Sequence, residues 1–248
     1  TKKTWTVKSS KIIPNIMKNA FSLAMKPRRG PVCLNLPRNI LAETNNYNIN
    51  IKKPSFTNET KLKGNRENIK SAAKLIETSK CSVIIVGAGI KYNSKYKDVI
   101  KLAELCNLPI VTAAGHGDAI PFGHKLNAGQ MGPRGNPVAS RLVKNADVIL
   151  AIGTRLGFNS TFYSYENINK HAKIIQIELE KTMLGKYFPV KVKIHADAAT
   201  ATKQIYDQIK KDKIKLNLRN WTNLYLKERN EYLQKRDKEN LGSNFPIQ

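Results

Sequence analysis

The stretch "CSVIIVGAGI", Cys81 to Ile90, decides the fold. Val83, Ile84, Ile85 and Val86 are four β-branched residues in a row, with no polar alternation between them. Such a run has both faces buried, as in a parallel sheet covered by helices on each side. Gly87-Ala88-Gly89 then turns the chain out of the strand. Upstream, "RENIKSAAKLIETSK" has apolar residues at helical spacing, and so does "SKYKDVIKLAELCN" downstream.

The same alternation continues along the chain. "LPIVTAA" reads as a strand, "NPVASRLVKNA" as a helix and "DVILAIGTR" as a strand. "AKIIQIELE" and "VKVKIHAD" are further strands, and "AATATKQIYDQIKK" is a closing helix. Five strands and their helices thus fill residues 66 to 211. The expectation is an α/β domain with a doubly wound parallel sheet.

Ligands of open parallel sheets collect at the carboxyl ends of the strands. Those ends hold Gly87, Ala88 and Gly89; Thr112, followed by Ala113-Ala114-Gly115-His116-Gly117; Gly153-Thr154-Arg155; Glu178; and Asp197. Glycines let a backbone approach phosphates, an Arg can clamp a pyrophosphate, and an acid can hold a ribose hydroxyl. The set describes a nucleotide-sized cleft. Each signal also has a structural explanation: tight turns use glycine anyway, and Arg155 can face solvent. "GAG" also lacks the third glycine of G-x-G-x-x-G. His116 and His124 have no Cys or acid at ligand spacing, so zinc is not expected. Asp118 follows His116 without a nucleophile nearby, and His195 reads as a structural histidine on a strand. No catalytic group stands out.

Outside this region the signals are coarser. "TWTVKSS" reads as a strand end entering a helix cap, so the chain is expected to start within a longer protein. "SSKIIPNIMKNAFSLAMK" is helical with Ser9 or Ser10 as cap, and "GPVCLNLP" is a short strand. Residues 42–65, Asn-rich and without periodicity, form a linker. "RNWTNLYLKERNEYLQKR" is a charged helix with Trp221, Leu224, Tyr225 and Tyr232 on one side.

The formal charge is +25, from 43 Lys and Arg against 18 Asp and Glu. Lys supplies 33 of those cations and is scattered along the whole chain. No strip of basic and aromatic residues suited to base stacking appears, so nucleic acid is not an expected partner. Cys33, Cys81 and Cys106 sit in apolar runs and read as small buried hydrophobes in a reducing compartment. No apolar stretch is long enough to span a membrane, and no signal peptide opens the chain. A cytoplasmic protein without membrane partners is expected.

Six segments carry a family likeness when taken in order: "RRGPVCLNLPRNIL", "IIVGAGI", "LAELCNLPIVTAAG", "NAGQMGPRGN", "ADVILAIGTRL" and "KIIQIELE". Together they resemble the thiamine diphosphate (ThDP) enzymes of the acetolactate (acetohydroxyacid) synthase group, from about Thr4 to Lys211. The resemblance implies the end of an N-terminal pyrimidine-binding domain at 1–41 and a linker at 42–65. A Rossmann-like central domain then fills 66–211, and 212–248 leads toward a diphosphate-binding domain. It implies a 2-keto acid substrate, carboligase or decarboxylase chemistry, ThDP with Mg2+, and a homodimer or homotetramer at full length. The activating glutamate of the family is expected before Thr1. No Gly-Asp-Gly occurs in the chain, so neither half of the thiamine pocket is expected within it, and the chain alone is expected to be inactive.

In this family the central domain binds FAD or an ADP-type nucleotide, or is purely structural. The matching positions are Arg28, Gly87, Ala88, Gly89, Thr112, Gly153, Arg155, Glu178 and Asp197. Gly129-Gln130-Met131-Gly132 and Leu156-Gly157-Phe158-Asn159 depart from the synthase pattern at the flavin ring. "GTRLG" is also similar to sulfoacetaldehyde acetyltransferase, and oxalyl-CoA decarboxylase is a further relative. A non-catalytic nucleotide-binding module is the alternative from another class.

Overall fold

The computed structural model describes residues 1–26, 29–46, 62–91, 96–216 and 218–241, with residues 240 and 241 described by their backbone alone. The chain forms two compact units, Thr1–Thr60 and Lys61–Gln248.

In the first unit, β1 (Thr4–Thr6) pairs in parallel with β2 (Cys33–Asn35). Between them runs α1 (Ile13–Met25), and α2 (Arg38–Leu41) follows. The expected serine cap differs in detail. A 3-10 turn, Ser10–Ile12, precedes α1, and Pro14 sits in the first turn of the helix, where its missing N–H costs nothing. The Ser10 hydroxyl bonds Glu43 and Asn45 instead of capping.

In the second unit, α3 (Arg66–Glu77) is capped by Asn65, whose Oδ1 accepts from the Glu67 and Asn68 amides. The remaining elements are β3 (Ser82–Val86), α4 (Tyr96–Cys106), β4 (Ile110–Thr112), β5 (Asn127–Gln130), α5 (Pro137–Asn145), β6 (Val148–Ile152), α6 (Phe158–Thr161), β7 (Lys173–Glu178), β8 (Val192–His195), α7 (Ala198–Lys211) and α8 (Arg219–Leu241). Their six strands are all parallel, in the order β5-β4-β3-β6-β7-β8. That is the 3-2-1-4-5-6 order of a doubly wound sheet, with its switch point between β3 and β6.

The pleat sorts the core into two layers. Ile84, Val86, Leu150, Ile152, Ile175 and Ile177 face α3, α4 and α7. Val83, Ile85, Ile149, Ala151 and Ile174 face α5 and α8. This is why "VIIV", Val83 to Val86, has no polar position: successive side chains meet alternate helical layers, and all five residues of β3, Ser82 included, are buried.

Three expectations from the sequence change here. There are six strands rather than five, because β5 is an edge strand. Its "NAGQ" has no apolar run; the Asn127 side chain instead bonds the Pro121 carbonyl and the Gly129 amide. The cysteines are not all core. Cys106 is buried in α4, but Cys81 lies before β3 and Cys33 in the two-stranded sheet, and both are half-buried. On α8, Leu224 is exposed while Tyr225 is buried. The helix docks through the Trp221 indole N–H on the Ser82 carbonyl at 2.9 Å and the Thr222 hydroxyl on the Asn107 carbonyl at 2.6 Å. Beyond the expected boundary at Lys211, the chain therefore packs back on the sheet.

Candidate functional site

The carboxyl ends of β3 and β6 meet backbone to backbone. The Gly87 amide donates to the Ile152 carbonyl at 3.1 Å, and the Gly89 amide to Gly153 at 3.0 Å. Gly153 is left-handed, with φ +59°, and a Cβ added there would sit 2.7 Å from the Gly89 Cα. A Cβ on Gly87 would meet the Gly153 carbonyl at 2.6 Å. These glycines are required by the contact between the two loops. All three of their amides are occupied, that of Gly153 by the Ile177 carbonyl at 2.9 Å, so a phosphate here would have to be met largely by side chains.

Ala88 opens a 3-10 turn, Ala88–Ile90. It is followed by Lys91, whose ammonium lies 2.7 Å from Asp118 Oδ1. That ion pair links the loop after β3 to the loop after β4. Asp118 is held below the usual carboxylate range, chiefly by its hydrogen bond with Lys91. At the end of β4, Thr112 is 1% exposed and its Oγ1 has no hydrogen-bond partner among the described residues. Four residues on, His116 Nδ1 is also buried and unpartnered. Desolvation, then Lys91, and more weakly Arg155, push the His116 pKa down against the pull of Asp118, which favours the neutral imidazole.

Arg155 is exposed and makes no hydrogen bond or ion pair with a described residue. Its charge reaches His116 on one side and Tyr163 and Tyr187 on the other. Tyr163 stacks on Tyr187 with centroids 4.4 Å apart, and the Phe158 ring lies 5.6 Å from Tyr163. Sequence reasoning missed what positions this side of the site. Gln176, buried in β7, donates to the Thr154 carbonyl at 3.1 Å and accepts from the Gly185 amide at 2.8 Å. One side chain thus holds the residue before Arg155 and the loop before Tyr187. Its only signal was a polar residue between the isoleucines of "IIQI", Ile174 to Ile177.

The two acids of the expected set are engaged locally. Glu178 Oε1 accepts from the Leu179 amide at 2.9 Å and the Glu180 amide at 3.3 Å. Asp197 caps α7, accepting from the Thr200 amide and hydroxyl at 3.0 Å each. His195 shares a hydrogen bond with the Leu179 carbonyl at 3.0 Å, as a structural histidine would. Gly87, Ala88, Gly89, Gly153 and Arg155 therefore gather at the switch point, with Thr112 on the adjacent strand. Glu178 and Asp197 lie at the ends of β7 and in the turn after β8. Arg28 lies outside the described residues. No group of three or more His, Cys, Asp or Glu able to hold a metal occurs among the described residues.

A parallel six-stranded sheet wound in this order is a Rossmann-like α/β domain. The family model for the central domain of thiamine pyrophosphate enzymes matches residues 69–205, and the chain belongs to that family. It is 32% identical over 227 residues to an acetolactate synthase large subunit of Buchnera aphidicola subsp. Schizaphis graminum, covering 89% of this chain and 39% of that protein. It is 34% identical over 189 residues to a sulfoacetaldehyde acetyltransferase of Roseovarius nubinhibens, covering 75% and 31%. A probable acetolactate synthase large subunit of Methanococcus aeolicus is 30% identical over 204 residues, covering 79% and 33%. The chain spans between 31% and 39% of the length of these relatives.

Proposed function

We propose that this chain is the central part of a ThDP-dependent, acetolactate synthase-like enzyme that decarboxylates or ligates 2-keto acids, and that its strand ends hold a nucleotide of ADP or FAD type. The observation that carries the nucleotide site is Arg155, exposed and without a hydrogen-bond or ion-pair partner among the described residues, beside the sealed Gly89–Gly153 contact. A guanidinium there suits a diphosphate bidentately. The buried, unpartnered Thr112 Oγ1 and His116 Nδ1 fit the same ligand, since buried polar atoms are otherwise hydrogen-bonded.

In this reading the chain's own residues bind and orient rather than react. Arg155 takes diphosphate charge, Thr112 and His116 offer hydrogen bonds, and Gln176 fixes the loops around Arg155. ThDP, when bound, supplies the electron sink for decarboxylation; its Mg2+ and its ligands belong to other parts of the full-length protein. That protein is proposed to be a homodimer or homotetramer. A sulfoacetaldehyde acetyltransferase-like activity is the second reading, supported by the similarity to the Roseovarius nubinhibens enzyme.

Calorimetry with ADP, FAD and coenzyme A tests the site. Binding of ADP or FAD that weakens about tenfold in Arg155→Ala supports it, and no binding by any of the three leaves a structural domain. For the chemistry, the full-length protein is given ThDP and Mg2+ with either pyruvate, or sulfoacetaldehyde and phosphate, the latter pair releasing sulfite. Acetolactate supports the first reading, and acetyl phosphate from sulfoacetaldehyde and phosphate the second. Robust pyruvate turnover by the present chain alone would overturn the placement of the catalytic parts outside it.

A further inference from the structure

We propose that Lys91 and His116 form a phosphate subsite of the nucleotide site, latched by Asp118. The inference rests on the nucleotide reading above and adds to it the residues that receive the charge.

Three observations lead to it. First, the first-strand loop cannot cradle a phosphate in the usual way, because the Gly87 and Gly89 amides are bonded to Ile152 and Gly153. The negative charge has to be met by side chains. Second, Lys91, His116 and Arg155 come from the three loops after β3, β4 and β6, which surround the switch point. The charges of Lys91 and Arg155 are both felt at the His116 ring. Third, His116 Nδ1 is buried without a partner among the described residues, beside the Lys91–Asp118 bridge. A salt bridge serving only to tie two loops would leave no reason for that orphan. A neutral imidazole protonated on Nδ1 can donate it to a phosphate oxygen.

Asp118 is the natural stand-in. Its side chain is 70% exposed against 27% for Lys91, so the carboxylate is the partner that can swing away. An exposed ion pair contributes little stability, so exchanging it for a phosphate is cheap. Phosphate brings more charge and more acceptors than one carboxylate, which favours the exchange.

The test is calorimetry of the intact chain at physiological salt with ADP, adenosine and inorganic pyrophosphate. Lys91→Ala is expected to weaken ADP and pyrophosphate about tenfold and to leave adenosine unchanged. Asp118→Asn is expected to tighten pyrophosphate by roughly threefold, as the competing carboxylate is removed. Lys203→Ala, which removes a lysine paired with Asp207 on α7, controls for net charge and should change nothing. ADP binding unaffected by Lys91→Ala, or weakened equally by Lys203→Ala, overturns the subsite and leaves the nucleotide reading standing. An unchanged pyrophosphate affinity in Asp118→Asn overturns the latch. Absence of ADP, FAD and pyrophosphate binding by the unmodified chain overturns both. Lys91 and Asp118 sit on the loops after β3 and β4 and Lys203 on the exposed side of α7, and circular dichroism of each variant checks the fold.

Discussion

The Gly89 amide donates to the Gly153 carbonyl over 3.0 Å, and a Cβ on either residue would lie 2.7 Å from the other's Cα. The loops after the first and fourth strands of the large sheet are thereby sealed at the switch point. A glycine pair that looks like a phosphate cradle is explained first by this contact.

Gly153→Ala is expected to cost about 3 kcal/mol, combining a left-handed backbone with a backbone clash. Gly115 is also left-handed, at φ +79°, but has nothing within 4 Å of an added Cβ. Gly115→Ala should cost only about 1–2 kcal/mol. Urea midpoints measure the difference, and equal losses would show that the close approach is unimportant.

Asp197 was expected as a ribose ligand and stands as the N-cap of α7. Asp197→Ala should lose about 1 kcal/mol of stability, whereas Asp197→Asn keeps an acceptor and most of that contribution. A loss of ADP affinity in Asp197→Asn at unchanged stability would instead assign the carboxylate to a ligand.

His116 is predicted to make stability depend on pH. Its folded pKa lies below the ordinary 6.5, through desolvation first and then Lys91. Between the folded pKa and 6.5 the unfolded chain binds more protons, so stability rises with pH across that window. The contribution is complete above about 6.5 and falls as pH drops toward the folded pKa. His116→Gln should flatten this part of the curve in denaturation series from pH 5 to 8. An unchanged slope would place the titration elsewhere.

The thiols should react in order. Burial pushes Cys106 up to about 12 and raises Cys81 as well. The thiolate is the reactive form. At pH 8, a disulfide reagent followed by mass spectrometry should label Cys33 first and Cys106 only in denaturant. Early labelling of Cys106 would mean that α4 opens locally.

Much of the fold was legible because a doubly wound sheet writes itself as apolar β-branched runs alternating with amphipathic helices. "SVIIV", "VILAI" and "KIIQIE" could not be placed elsewhere. The edge strand β5 was illegible, since an edge needs no apolar run and Asn127 stabilises it through its side chain. The docking of α8 was equally hidden. Trp221 and Thr222 act through single hydrogen bonds to the Ser82 and Asn107 carbonyls, and periodicity does not reveal hydrogen bonds.

Within the site, the strand ends could be named from the sequence, but their partners could not. The sequence by itself determined the parallel α/β class, the family and the residues that finish each strand, because those follow from local pattern and order along the chain. Only the tertiary structure decided that Gly89 serves Gly153, that Asp197 caps a helix, and that Lys91 meets Asp118 beside an unpartnered His116. These are contacts between residues 3 to 64 positions apart in the chain. Whether a glycine, an acid or a lysine is structural or available depends on which atom occupies its other side, and that atom is brought there by the winding of the sheet.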